Sequence, residues 1–108
     1  MAEENVEAID DNNFHQIIKE GKVCVKFSAT WCGPCITLAP IFNEVSQEMK
    51  KEEIRFYSLD IDGAECVSEL CVTSVPTIIL FRDGSEVARI SGMQSAQAII
   101  EKIKNAFN

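Results

Sequence analysis

Strand-type and helix-type segments alternate along the whole of this 108-residue chain. β-Branched, aromatic and apolar runs predict strands at residues 6–9, 23–29, 54–59, 77–81 and 86–91. Apolar residues at helical spacing predict four helices: one capped by Asp10 or Asp11 and ended by Gly21, one opened by Pro34 and kinked at Pro40, one over residues 64–70, and one capped by Ser95. The Asp83–Gly84 pair predicts a tight turn between the last two strands.

The resulting order, β-α-β-α-β-α-β-β-α, predicts an α/β fold in a single domain over residues 1–108. We expect a central mixed sheet of five strands, mostly parallel, with a terminal hairpin adding antiparallel strands. Four helices should cover both faces of this sheet. With 46% apolar residues, the chain can bury a core without needing disulfide bonds to fold.

The charge of the chain excludes several classes of partner. A formal net charge of −7 argues against binding to nucleic acid and against a polybasic membrane anchor. The start of the chain, MAEENVEAIDDNNF, is acidic and polar, unlike a secretory signal. No apolar run approaches the roughly 20 residues that cross a bilayer. The sequence therefore predicts a cytoplasmic protein that binds neither nucleic acid nor membrane.

The chemistry of the chain is concentrated in the motif Trp31-Cys32-Gly33-Pro34-Cys35, where a predicted strand ends and a helix begins. The CxxC spacing brings two sulfurs within bonding distance, and a helix N-terminus stabilises a thiolate through unpaired N–H groups and the helix dipole. Cys32, at the mouth of the helix, is predicted to attack disulfides. Cys35, one turn further in and shielded, is predicted to resolve the mixed disulfide, with Gly33 and Pro34 tuning the strain of the pair.

The same motif could form half of a zinc site, but a closed site needs four ligands. The other candidates are Cys24, Cys66, Cys71 and His15, and none of them forms a second pair at metal spacing. We therefore predict no metal. His15 is the only histidine and is expected at the surface, which argues against a Cys–His hydrolase. Cys24 is expected to be a small buried residue, and Cys66 and Cys71 too far apart to pair.

The chain resembles the thioredoxin family. The likeness lies in the segment VKFSATWCGPC at residues 25–35, in Val75-Pro76-Thr77, in Phe81 to Gly84 and in Gly92, and it covers nearly the whole chain in register. It implies the thioredoxin fold and a general protein disulfide reductase that carries electrons by dithiol–disulfide exchange. It also implies no cofactor beyond the Cys32–Cys35 disulfide, re-reduction by an NADPH-dependent thioredoxin reductase, and protein disulfide substrates such as peroxiredoxins.

The resemblance further implies a docking rim around the cysteines. A cis peptide bond should precede Pro76, which should lie against the cysteine pair, and the Val75 backbone should pair with an extended substrate segment. The expected rim contains no charged residue and consists of Trp31, Gly33, Pro34, Val75, Pro76, Gly92 and Met93. Such an apolar rim would accept many partners.

The chain departs from the family most clearly at Lys26. Thioredoxins usually have an acidic residue here, beneath the resolving cysteine, and a lysine where this chain has Ser58. Lys26 either extends its amine to solvent along a buried stem, or is desolvated with a lowered pKa and acts on Cys35 as a proton acceptor or by stabilising its thiolate. Ser28 and Ile36 also replace a common tryptophan and a common lysine. These changes affect the redox potential and the pH profile, not the type of reaction.

Two other functions are compatible with the motif. One is an isomerase or oxidant, against which the Gly-Pro pair and the lack of a signal peptide both argue. The other is a binding module that uses the same surface without turnover, against which the intact CxxC argues. A strongly reducing potential for the Cys32–Cys35 pair would separate a reductase from an oxidant.

Overall fold

A computed structural model, which describes residues 6–108, confirms the predicted order of elements. Residues 1–5, which begin the polar segment discussed above, lie outside it. The strands are β1 (Val6–Ile9), β2 (Lys22–Ser28), β3 (Ile54–Asp60), β4 (Thr77–Arg82) and β5 (Ser85–Ser91). The helices are α1 (Asp11–Ile18), α2 (Gly33–Glu48), α3 (Cys66–Glu69) and α4 (Ala96–Phe107), with a 3₁₀ turn at Lys50–Glu52 that the sequence analysis did not predict.

The five strands form one mixed sheet in the order β1-β3-β2-β4-β5. β3 is parallel to β1 and β2, whereas β4 is antiparallel to both β2 and β5. The predicted mixed sheet, with antiparallel pairing from the terminal hairpin, is thus confirmed: β1, β2, β3 and β5 run in one direction, and β4 runs against them. The reason is the length of α3: four residues rise about 6 Å, too little to return the chain along β3 for a parallel crossover.

This topology places three strand ends at one edge of the molecule. β4 starts where β3 stops, so the carboxyl ends of β2 and β3 and the amino end of β4 meet there. The segment before β4 consequently lies beside the segment that follows β2. These are the two segments that the sequence analysis singled out, Trp31 to Cys35 and Val75 to Pro76.

Helices cover both faces of the sheet, as predicted, because side chains alternate along each strand. α2 and α4 pack on the face whose buried strand residues include Cys24, Phe56, Ile78, Leu80 and Ile90. α1 and α3 pack on the opposite face, whose buried strand residues include Val23, Val25, Phe27, Leu59, Ile79 and Phe81. Lys26 lies on the first face and is therefore directed toward α2.

Most helix starts fall where the sequence predicted them. Asp10 caps α1 in a reciprocal pair with Asn13, and the Ser95 hydroxyl accepts the Ala98 N–H at the start of α4. α1 ends earlier than predicted, at Ile18. α2 continues through Pro40 to Glu48.

α3 is shorter than the predicted 64–70 helix and is held at both ends by charged side chains. At its start, the Asp11 carboxylate accepts the N–H groups of Glu65 and Cys66, at 2.6 and 3.1 Å. At its end, the Arg89 guanidinium donates to the carbonyl oxygens of Leu70 and Cys71, at 2.7 and 3.3 Å. Four residues cannot satisfy their own terminal groups, so distant side chains do so.

We expect Asp11→Asn to destabilise the protein at neutral pH but not in acid. The bonds from Glu65 and Cys66 lower the pKa of the Asp11 carboxyl below its ordinary value. A group with a lowered pKa in the folded state stabilises the fold above its unfolded pKa, and this stability is lost as the pH falls through the folded-state pKa. Urea unfolding midpoints should therefore differ at pH 7 and converge once the pH has fallen through the folded-state pKa of Asp11.

The matched control for this experiment is Asp10→Asn. It removes a neighbouring carboxylate, but asparagine caps a helix about as well as aspartate. Its midpoint should stay close to that of the wild type at pH 7. If Asp11→Asn were equally destabilising at both pH values, its effect would not come from the charge.

We expect Cys71→Gly to stabilise the fold. Cys71 follows α3 with a φ of +56°, in the left-handed region that side chains disfavour. Relief of about 1–2 kcal/mol of backbone strain, offset by the greater freedom of glycine in the unfolded chain, leaves a gain of roughly 0.5–1 kcal/mol. Urea unfolding measures it, with Cys71→Ala as the control that removes the thiol and keeps the strain. Equal midpoints for the two variants would contradict this explanation.

Candidate active site

Cys32 and Cys35 form a disulfide bond at the edge where β2 ends and α2 begins. Their Cα atoms are 5.2 Å apart, within the ordinary range for a disulfide. Cys32 is the N-cap of α2, and its Sγ accepts the N–H of Cys35 at 3.2 Å. Pro34 lies in the first turn, as predicted, where its missing N–H costs nothing. A sulfur at this position lies where the N–H groups and dipole of the helix favour negative charge.

The two cysteines differ in position more than in exposure. Cys32 is 6% exposed and Cys35 is 4% exposed in the disulfide form, so the predicted contrast between an open and a shielded sulfur is small. Both pack against the half-buried side chains of Ile61 and Val75. What distinguishes Cys32 is that its Sγ receives the Cys35 amide and lies 3.8 Å from the Val75 carbonyl oxygen.

The predicted docking rim is partly assembled around Cys32. The Val75–Pro76 peptide bond is cis, as the resemblance implied, and Pro76 is buried. Gly92 donates its N–H to the Pro76 carbonyl at 2.9 Å and has a φ of +82°, so its position suits glycine. The structure thereby joins the segments around Val75 and Gly92. Gly33, Pro34, Trp31 and Met93 are exposed, the last two at 66% and 41%.

Two residues that the sequence analysis did not select belong to this site. The Trp31 Nε1–H points at the Asp62 carboxylate, 3.2 and 3.4 Å from its two oxygens. Ile61, which packs on the cysteines, donates its N–H to the Ser28 carbonyl at 2.9 Å. Both follow β3, and the parallel pairing of β3 with β2 could have indicated them, since parallel strands end at the same edge. The rim itself has no charge, but a carboxylate adjoins it.

Lys26 is buried, with only 3% of the residue exposed. Its Nζ is 5.6 Å from the centre of the Phe42 ring on α2. Along the sheet, Lys26 is in register with Ser58 on β3. The lysine also lines an open cavity of about 170 Å³ together with Cys35, Ser58 and Asp60. This burial argues against an amine that extends freely into solvent, although the lysine borders an open cavity. Its effect on Cys35 stays a prediction.

The other three cysteines are free thiols. Cys24 and Cys66 are buried, and burial raises the pKa of the Cys24 thiol far above its ordinary value and that of Cys66 to about 12. Neither supplies thiolate near neutral pH. Cys71 is exposed, and it is not bonded to Cys66. His15 is at the surface as predicted, with Nε2 3.2 Å from the Glu69 carboxylate.

Within residues 6–108, no group of three or more His, Cys, Asp or Glu side chains is placed to hold a metal ion. The zinc site that the motif left open therefore lacks a ligand set in this part of the chain. No helix in the same range is long and apolar enough to span a membrane.

Comparison with known proteins identifies the family. The thioredoxin family model matches residues 5–105. The chain belongs to the thioredoxin family. A thioredoxin of Chlamydia pneumoniae is 37% identical over 98 residues, covering 91% of this chain and 95% of that one. A bifunctional thioredoxin reductase/thioredoxin of Mycobacterium leprae is 35% identical over 102 residues, covering 93% of this chain and 22% of that protein.

Solved structures of two yeast systems share the fold. Oxidised mitochondrial thioredoxin 3 of Saccharomyces cerevisiae matches with a TM-score of 0.85 and 29% identity, covering 97% of this chain and 99% of that one. A chain from a study of thiol resolution in yeast mitochondrial 1-Cys peroxiredoxin by the glutathione and thioredoxin systems matches with a TM-score of 0.83 and 29% identity, covering 93% and 94%. The predicted thioredoxin fold is confirmed.

Membership of the family also establishes the type of chemistry. Thioredoxins are thiol–disulfide oxidoreductases that use their own active-site disulfide and no added cofactor. The Cys32–Cys35 disulfide at the start of α2 is the matching feature here. This chain is therefore a thiol–disulfide oxidoreductase that acts by dithiol–disulfide exchange.

Proposed function

We propose that this protein reduces protein disulfides, with Cys32 as the attacking thiol and Cys35 as the resolving thiol. The observation that carries the assignment is the N-cap position of Cys32, whose Sγ accepts the Cys35 N–H at 3.2 Å. In the reduced protein the same amide and the helix dipole stabilise a Cys32 thiolate. Cys35 lies inside the first turn and provides that amide, so its own sulfur lacks the equivalent contact.

The reaction proceeds in two exchange steps. The Cys32 thiolate attacks one sulfur of the substrate disulfide, forms a mixed disulfide and releases the other substrate sulfur as a thiolate. Cys35, deprotonated, then attacks Cys32, which re-forms the Cys32–Cys35 disulfide and releases the second substrate sulfur. Two electrons pass to the substrate in each cycle, so an external donor has to reduce the protein again.

The docking rim orients the substrate for this attack. The Val75 carbonyl oxygen is 3.8 Å from Cys32 Sγ, so a partner strand that pairs with the Val75 backbone would carry its disulfide to that sulfur. Trp31, Pro34, Gly92 and Met93 provide side-chain and backbone surface around it. Gly33 and Pro34 fix the start of α2, and we assign them, with Lys26, to the tuning of the redox pair.

The partners proposed are a thioredoxin reductase and disulfide-bonded proteins such as peroxiredoxins. The fusion of a reductase to a thioredoxin in the Mycobacterium leprae relative supports the first. The yeast peroxiredoxin study supports the second. The net charge of −7 supports the proposal that nucleic acid and membrane surfaces are not partners.

We further propose that the protein works in the cytoplasm. Three of its five cysteines are free thiols, two of them buried in the core. Free thiols persist in compartments that glutathione and thioredoxin systems maintain in a reducing state. An oxidising compartment would expose the accessible Cys71 thiol to pairing.

Insulin disulfide reduction tests the proposed function. The protein should accelerate insulin precipitation with NADPH and a thioredoxin reductase, and also with dithiothreitol in place of the reductase. Activity with dithiothreitol alone would support the disulfide chemistry and contradict the choice of reductase. Inactivity with both electron donors would contradict the function itself.

A further inference from the structure

Exposed apolar side chains are concentrated at the active site. Between residues 6 and 108, the large apolar side chains that are well exposed are Trp31, Ile36, Val87 and Met93. Single exposed apolar residues are normal, but a cluster of them around a reactive group marks a contact surface. Trp31 and Met93 belong to the docking rim already described. Ile36 does not, although at 65% it is nearly as exposed as Trp31.

The position of Ile36 places it on the Cys32 side of α2. Its N–H donates to the Cys32 carbonyl at 3.2 Å, one helical turn away. Residues four apart share a helix face, and a helical side chain covers the surface over the preceding turn. Ile36 therefore extends the docking rim by one turn along α2. It also borders the open cavity of about 170 Å³, which Cys35 and Ala39 line as well.

The surface between Trp31 and Ile36 is open to a partner. A Cβ placed on Gly33 would meet no atom within 4 Å, so nothing in the protein covers this part of the first turn. A partner segment that crosses Cys32 can therefore contact both exposed side chains.

We propose that Ile36 binds a bulky apolar side chain next to the partner's disulfide cysteine, so that this protein prefers protein disulfides flanked by such residues. This inference rests on the proposed attack by Cys32. Burying the exposed isoleucine against leucine, phenylalanine or methionine removes apolar surface from water on both partners. A carboxylate at the same place would lose hydration against Ile36 without gaining a hydrogen bond.

The test uses two pairs of disulfide-linked peptides. In the first pair the residue before the attacked cysteine is Leu in one peptide and Glu in the other. In the second pair the residue after that cysteine is varied in the same way. Dithiothreitol serves as the reductant, so the result does not depend on a reductase. For the wild type we expect kcat/KM to favour the Leu peptide roughly tenfold in at least one pair. Ile36→Lys should reduce this ratio to near one, and Ile36→Leu should keep it.

The matched control is Val87→Lys, which introduces the same charge at another exposed apolar residue, on β5. This variant should keep the wild-type ratio of kcat/KM for the Leu and Glu peptides, because Val87 is not part of the docking rim. Equal rates for the Leu and Glu peptides with the wild type would overturn the inference while leaving the reductase function intact. If the wild type reduced neither peptide, the proposed function itself would fail. Concentration-dependent dimers that Ile36→Lys abolishes would show that a second copy occupies this surface, which would also overturn the proposal.

Discussion

Cys35→Ser is expected to leave partner proteins covalently attached to Cys32 and to reduce turnover to the background rate. Release of the partner requires a second thiol one helical turn away, and serine cannot attack the mixed disulfide. Cys32→Ser should be equally inactive but should accumulate almost no adducts. The contrast arises because the Cys35 amide and the helix N-terminus stabilise negative charge on the Cys32 sulfur, not on the Cys35 sulfur.

Pull-down from a cell extract followed by mass spectrometry measures this difference directly. The wild type is the reference, since it should release its partners. Each adduct should map to Cys32 in the Cys35→Ser protein. Attachment mainly through Cys35 in the Cys32→Ser protein would reverse the proposed division of roles.

Lys26→Met is expected to slow release of the mixed disulfide about tenfold at mildly acidic pH, which corresponds to ~1.4 kcal/mol. Lys26 lines the same open cavity as Cys35, and only 3% of the residue is exposed, so a positive charge on its amine acts on that sulfur across the cavity. Attraction favours the Cys35 thiolate, the species needed for resolution. Methionine retains most of the apolar stem, which limits lost packing.

The pH dependence follows from the same argument. Above about pH 9 an ordinary cysteine thiol ionises without help, so the two proteins should converge there. Rapid mixing with a model mixed disulfide measures the rate of the resolving step. A separate experiment measures the rate at which the mixed disulfide forms, which should change little. Lys22→Met is the control, because it removes an equal charge from the same strand, four residues before Lys26. A resolving rate that matches the wild type at every pH would show that Lys26 has no role in this step.

The short α3 helix links these chemical expectations to the fold. Because α3 cannot return the chain along the sheet, β4 begins beside the ends of β2 and β3. The Val75 carbonyl therefore lies next to Cys32. Asp11 and Arg89 hold the ends of α3 from α1 and β5. The stability variants at Asp11 and Cys71 thus test the segment that positions the Val75 backbone.

The local elements were predictable because their signals are local. Period-two and helical patterns indicated all five strands and four helices, and Asp10 and Ser95 cap helices where their side chains predicted it. The cysteine pair was predictable in the same way, since the CxxC spacing brings two sulfurs within bonding distance and Pro34 favours a helix start, and both signals are local. The ends of α1 and α3 were predicted less well, because no strong stop signal falls at Ile18 or Glu69.

The sequence by itself determined the order of elements, the redox motif and the type of reaction, because each depends on residues close together in the chain. Tertiary structure alone decided which distant residues surround the motif. The antiparallel placement of β4, the contact of Asp62 with Trp31 and the burial of Lys26 beneath α2 depend on the connections between strands. A side chain on a strand has two possible faces and several possible neighbours, and only the packed sheet selects among them.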